Sequence, residues 1–187
     1  MRKNFGKKTY FYPLPVLIIG TYDENNNANA MNAAWGGIYD TNQVFICLSS
    51  DHKTTKNIHL KKEFTVSFED SKHVIEADYV GIVSGNKVDK IKKASLHPIK
   101  SEFVDAPYFE EFPMSLDCKI EKINDDGQTA YVIANIVNVS MDESILTNNK
   151  VDLDKFEVIS FDPVNNSYVK VQGKVGDAFK DGLKLKK

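Results

Sequence analysis

The chain of 187 residues sets 24 Lys and Arg against 26 Asp and Glu, a formal charge of −2, which gives no electrostatic footprint for nucleic acid or an anionic membrane. With 42% hydrophobic and 27% charged residues, it has the composition of one globular domain, spanning 1–187 and able to bury roughly 70% of its unfolded surface. Cys47 and Cys118 lie far apart in apolar runs, without metal-ligand spacing. They read as buried reduced thiols of a cytoplasmic protein. The N-terminus lacks the apolar core of a signal peptide, and Leu14 to Gly20 is far short of the about 20 residues a membrane span needs.

In chain order, Pro13-Leu14-Pro15 enforces an extended entry. Val16 to Tyr22 is a strand of near-continuous apolarity, which predicts burial on both faces. The polar turn Asp23 to Asn27 leads into a strand over Ala28 to Ile38, and Asp40-Thr41-Asn42 turns the chain into another over Val44 to Leu48. Ser50 or Asp51 is placed to cap a helix from about Lys53 to Lys62. Glu63 to Glu69 alternates as a half-buried strand. Helices are expected from Ser71 to Ala77, with Asp70 or Ser71 as cap, and from Val88 to Ala94. His97 to Phe112 reads as a long loop, either a cover for a site or a surface excursion. Met114 to Ile123 and Ala130 to Ser140 form a hairpin around Asp125-Asp126-Gly127. Asp142 to Asp154 is a polar excursion, Val158 to Phe161 and Tyr168 to Val171 are short strands, and Ala178 to Lys186 is a weak terminal helix. The sum is a mainly β, predominantly antiparallel barrel with a few flanking helices.

Two stretches carry chemistry. Ala28, Ala30, Ala33, Ala34, Gly36 and Gly37 surround the only tryptophan, Trp35, and such small side chains let a flat ring lie against main-chain amides. Further on, a strand runs into a polar helix start carrying Ser49, Ser50, His52, Lys53 and Thr54. Free N–H groups and the helix dipole favour a phosphate there. Asn57 lies one turn beyond Lys53 on the same helix face, placed to reach a ribityl chain. His52 is either a phosphate ligand or a cap. No CxxC or HExxH spacing and no GxGxxG after a strand is present, which disfavours a tight metal site or a Rossmann-type nucleotide site.

The runs Asn29 to Gly37, Ser49 to Ile58 and Asp78 to Lys90, in this order and spacing, resemble the flavin reductase-like, FMN-binding split-barrel family over about Tyr12 to Ile159. The resemblance implies an antiparallel split β-barrel with FMN as cofactor. Asn32, Ala33, Ala34 and Trp35 would lie at the ring edge, and Ser84, Gly85, Lys87 and Lys90 would close the far side. It implies no catalytic side chain, because the flavin carries the redox chemistry. Many relatives carry an arginine and an aromatic where this chain has Asp51 and His52, so the anion contacts depart from the family pattern. The implied activity is transfer from NADH or NADPH through the bound flavin to a flavin or redox-protein acceptor, in a homodimer. Two alternatives stay open: an electron carrier reduced by a protein donor, or a barrel that binds FMN without turnover. Haem would need an axial ligand, for which Met31 is the one candidate nearby.

Overall fold

The structure is a computed structural model and describes residues 1–186. The strands are β1 Leu14–Pro15, β2 Leu17–Tyr22, β3 Ala28–Ala33, β4 Gly36–Asp40 and β5 Gln43–Ser49. Helix α1 Lys53–Lys61 and strand β6 Glu63–Phe68 follow, then α2 Val74–Ile82 and the short α3 Lys90–Lys93. The remaining strands are β7 Pro98–Lys100, β8 Pro107–Phe109, β9 Met114–Asp125, β10 Thr129–Met141, β11 Leu146–Thr147, β12 Lys150–Val151, β13 Ile159–Asp162 and β14 Ser167–Lys170.

Seven of these form one antiparallel sheet in the order β3-β2-β6-β9-β10-β5-β4. Its two edge strands, β3 and β4, are consecutive in the chain and joined only by Ala34 and Trp35. The sheet must therefore curl until its edges meet at that link, which makes a barrel split between β3 and β4. The expected strand Ala28 to Ile38 is thus two strands. The break occurs because the Trp35 carbonyl turns to accept from the Cys47 amide at 2.8 Å, which brings the chain onto β5.

β2 is buried on both faces, as its apolar run predicts. Leu17 and Ile19 enter the barrel core with Ile46, Phe64, Val66 and Val132, while Ile18 faces a second cluster with Ala77, Val80, Leu96, Phe109 and Phe112. Each fully buried side chain of this size contributes about 1.5–3 kcal/mol. The 97–112 segment is not a featureless loop: it folds into the β7–β8 hairpin and lies over β2 and β6. That cover explains why β6 is not half-buried as its alternation suggests. Thr65 and Ser67 are both fully buried, and the Thr65 hydroxyl donates to the Pro107 carbonyl. It also explains Gly20, where a Cβ would lie 2.1 Å from the Pro107 oxygen.

α1 sets Ile58 into the barrel core. Its N-cap is His52, without a side-chain cap, rather than Ser50 or Asp51. The Ser50 hydroxyl instead donates to Asp125 at 2.6 Å, on the β9–β10 hairpin. α2 starts after His73 and runs five residues beyond Ala77, because Gly81 allows close packing on β3: a Cβ there would sit 3.0 Å from that of Asn32. Of the expected helix at 88–94 only α3 forms. The 142–154 excursion holds a 3-10 turn, Glu143–Ile145, and the β11–β12 hairpin. The expected terminal helix is an exposed 3-10 segment, Asp181–Leu185, with no buried residue to anchor it. No helix among the described residues is long and apolar enough to cross a membrane.

Candidate functional site

A trough runs along β3, between the α1 N-terminus and α2. One end, of about 290 Å³, is lined by Asn32, Ala33, Ala34, Trp35, Ser49 and His52, with Cys47, Asp78, Phe161 and Tyr168 opposite. The other, of about 190 Å³, is lined by His52, Lys53, Thr54, Ser84, Gly85 and Lys90. Met31, Asn32, His52, Gly81 and Ile82 belong to both, so the two ends are continuous. The first end is flat and aromatic, and the second polar and cationic.

Small side chains hold the aromatic end open. Ala33 and Ala34 project little into it, and the Asn32 amide is held by donating to the Ala77 carbonyl at 3.2 Å. Trp35 is not a core aromatic: it is 54% exposed and stands at the rim. Across from it, Tyr168 donates to Asp78 at 2.8 Å. Burial and the Asp78 carboxylate hold that phenol well above the usual range. Burial also raises the Cys47 thiol, which is therefore no ready thiolate. Behind this end lies Glu69, 1% exposed, with neither carboxylate oxygen hydrogen-bonded. Burial, then Asp70, Asp78 and Glu76, push its pKa up to about 8.

The cationic end is built from three segments. Lys53 and Thr54 stand at the first turn of α1, whose N-terminus has no side-chain cap. Thr54 accepts from the buried Asn29 amide at 2.9 Å. Lys53 pairs with Asp23 at 3.0 Å. Burial alone would raise Asp23, but the Asn27 amide and the Lys53 ammonium outweigh it and draw its pKa down to about 2. The 84–90 segment is tied to α1 by Asn86, which donates to the Asp51 carbonyl at 3.3 Å. Gly85 fits between them, since a Cβ there would lie 2.3 Å from Asn29 Oδ1 and 3.3 to 3.4 Å from the Lys90 and Lys53 stems.

Lys90 is the decisive residue. It is 5% exposed, and its ammonium donates to the Val80 carbonyl at 2.8 Å. No carboxylate among the described residues pairs with it. Burial, then the nearby Lys53 charge, lower its pKa to about 8. A buried cation without a counter-charge is costly, and an anion in the trough would supply that charge. The donor set therefore fits a phosphate at this end and a flat ring at the other.

Three of the sequence candidates lie elsewhere. Ser50 is engaged by Asp125, Asn57 is buried with its amide on the Thr21 hydroxyl at 3.0 Å, and Lys87 lines a neighbouring cleft rather than the trough. Conversely, Phe161 and Tyr168 reach the site from the β13–β14 hairpin: the sequence marks its two short strands but not their approach to the trough. Asp78, Gly81 and Ile82 are carried there by the extension of α2. Their signal was the 78–90 run itself.

Comparison with known proteins identifies the family and the fold. A model of the flavin reductase like domain matches residues 9–155. Flavoredoxin of Desulfovibrio vulgaris (Miyazaki F) is 34% identical, with 97% of this chain and 100% of that one covered and a TM-score of 0.91. Flavoredoxin from Methanosarcina acetivorans is 27% identical, over 99% and 100% of the chains, with a TM-score of 0.90. An FMN-binding domain of a flavin reductase-like enzyme from Shewanella baltica OS155 shares the fold at 14% identity, 87% and 88% coverage and a TM-score of 0.76. The chain belongs to the flavin reductase-like family of split-barrel flavin-binding proteins.

Proposed function

We propose that this protein is an FMN-dependent oxidoreductase that takes electrons from NADH or NADPH and delivers them to a flavin or redox-protein acceptor. The observation that carries the reading is the buried, carboxylate-free Lys90 ammonium at one end of a trough whose other end is aromatic. When bound, the flavin supplies the hydride and electron chemistry. The chain's own groups bind and orient. Lys90, the α1 N-terminus and the Thr54 hydroxyl would hold the phosphate, with Lys53 held beside it by Asp23. The Ser84 and Gly85 backbone would close that end, and His52 stands at the junction. Asn32, Ala33 and Ala34 would leave room for the ring edge, while Trp35, Phe161 and Tyr168 would screen it from water.

The likeness to two flavoredoxins favours a second reading, an electron carrier reduced by a protein donor. We read the protein as a homodimer in which a second copy covers the exposed Ile38 and Tyr39 of edge strand β4. Two free thiols, one fully buried, suit a reducing cytoplasm. The test is a visible absorption spectrum of the purified protein, repeated anaerobically with NADH or NADPH. Flavin bands that bleach with either nucleotide support the reductase. Bands that bleach only with dithionite support the carrier. A colourless protein that also fails to take up added FMN refutes both.

A further inference from the structure

The cationic end of the trough opens into a larger cleft of about 820 Å³. Lys53, Gly85 and Lys90 belong to both, so the cleft begins where the flavin phosphate is placed in the reading above. Asn26, Asn27 and Asn29 form one wall, and Lys87 and Lys92 add exposed ammonium groups on the other. Asp89 is the one carboxylate among the lining residues. It is already engaged, accepting from the Lys92 amide at 3.0 Å as the cap of α3. Lys53 is shared with Asp23, but Lys87, Lys90 and Lys92 have no ion-pair partner among the described residues. The same cleft has an apolar side in the Tyr22 ring, Val88, Ile91 and Pro98. Uncompensated cations beside an aromatic and amide-rich wall suit a phosphate joined to a flat heterocycle.

We propose that this cleft binds the nucleoside phosphate arm of a dinucleotide, its phosphate between Lys87, Lys90 and Lys92 and its base against Tyr22. The assignment rests on the flavin reading for its starting point at Lys90. Two sources share this chemistry: the adenylate of FAD, or that of the nicotinamide donor.

The experiment is calorimetric titration of the flavin-free full chain at low salt with FMN, FAD, ADP and NADPH, for the native protein and for Lys92→Glu. Reversing one charge in an open cleft should weaken a neighbouring phosphate about fivefold, less at high salt. FMN affinity should stay unchanged, because Lys92 does not line the trough. Loss for both FAD and ADP identifies FAD as the source. Loss for ADP and NADPH with FAD unaffected identifies the nicotinamide donor. Normal FMN binding together with FAD, ADP and NADPH affinities indifferent to Lys92→Glu overturns the proposal. Failure of FMN to bind, with ADP still bound in a Lys92-dependent way, would sink the flavin reading and leave the cleft assignment standing.

Discussion

Lys90→Met should make the flavin-free protein more stable and the flavin complex weaker. The ammonium is 5% exposed, and burial lowers its pKa from 10.5 to about 8. Keeping it charged therefore costs about 3 kcal/mol at pH 7. Methionine preserves much of the stem and removes that cost, but leaves the Val80 carbonyl without its donor, a loss of about 1 kcal/mol. The net gain is about 2 kcal/mol, which for a chain of this size raises the melting temperature by about 4–8 °C. FMN should bind about 30-fold or more weakly, the loss expected when one charge-assisted contact of about 2–3 kcal/mol disappears. In the native protein the same residue sets a pH dependence. FMN affinity should fall as pH rises above about 8, where the empty site loses its proton. Thermal melts of the flavin-free forms and fluorescence titration with FMN between pH 6.5 and 9.5 read all three effects. A variant that melts lower than the native protein and binds FMN equally well would refute the reasoning, because Lys90 would then be neither strained nor facing the phosphate.

Three further substitutions test other parts of the site. Ala34→Leu fills the aromatic end, so the protein should fold with an unchanged melting temperature yet purify without flavin; full flavin occupancy would place the ring elsewhere. Gly85→Ala sets a methyl 2.3 Å from Asn29 Oδ1 and should disturb the Asn29–Thr54 contact, weakening FMN about tenfold by titration; unchanged affinity would mean that this contact does not shape the site. Glu69→Gln should remove a pH-dependent loss of stability. The folded-state pKa is raised from 4.5 to about 8, so the folded chain holds a proton that the unfolded chain releases, and stability falls with rising pH across that window. Urea midpoints taken from about pH 5 to 8, below the window in which Lys90 titrates, should slope downward for the native protein and stay flat for the variant.

Much of the barrel was legible because strand and hairpin signals are local. The apolar run of β2, the Asp125-Asp126-Gly127 turn and the helix from Lys53 each depend on residues within a few positions. The break at Ala34 and Trp35 was not legible, since strand periodicity is the same on both sides and only the closing of the sheet makes the chain cross from β3 to β4. Thr65 and Ser67 read as a solvent face because nothing in β6 announces that β8, over 40 residues later, covers them. In the site, the small-residue tract and the polar helix start were visible as residue types at fixed spacing. Which of them face the trough was not. Asn57 shares a helix face with Lys53 by spacing, yet its amide is taken by Thr21 on β2. Tyr168 reaches Asp78 across 90 positions, a contact that only the tertiary fold creates.

Lys90 and Glu69 together explain why this fold should depend on its ligand for stability. Each is a buried ionisable group without a counter-ion, one beneath the cationic end of the trough and one behind the aromatic end. Their linkages have opposite signs. Glu69 lowers stability as pH rises from about 4.5 to 8, whereas the penalty on charged Lys90 is present below about 8 and is relieved as pH rises toward 10.5. These two groups alone put a minimum in the stability of the flavin-free protein near pH 8. A phosphate against Lys90 changes only one of them: it restores the favoured charged state and, at a hundredfold excess over its dissociation constant, stabilises by about 2.7 kcal/mol. The flavin-loaded protein should therefore keep the Glu69 decline but lose the rise above pH 8, because its Lys90 stays protonated there. A loaded protein whose stability still climbs from pH 8 to 10 would mean that no anion sits on Lys90.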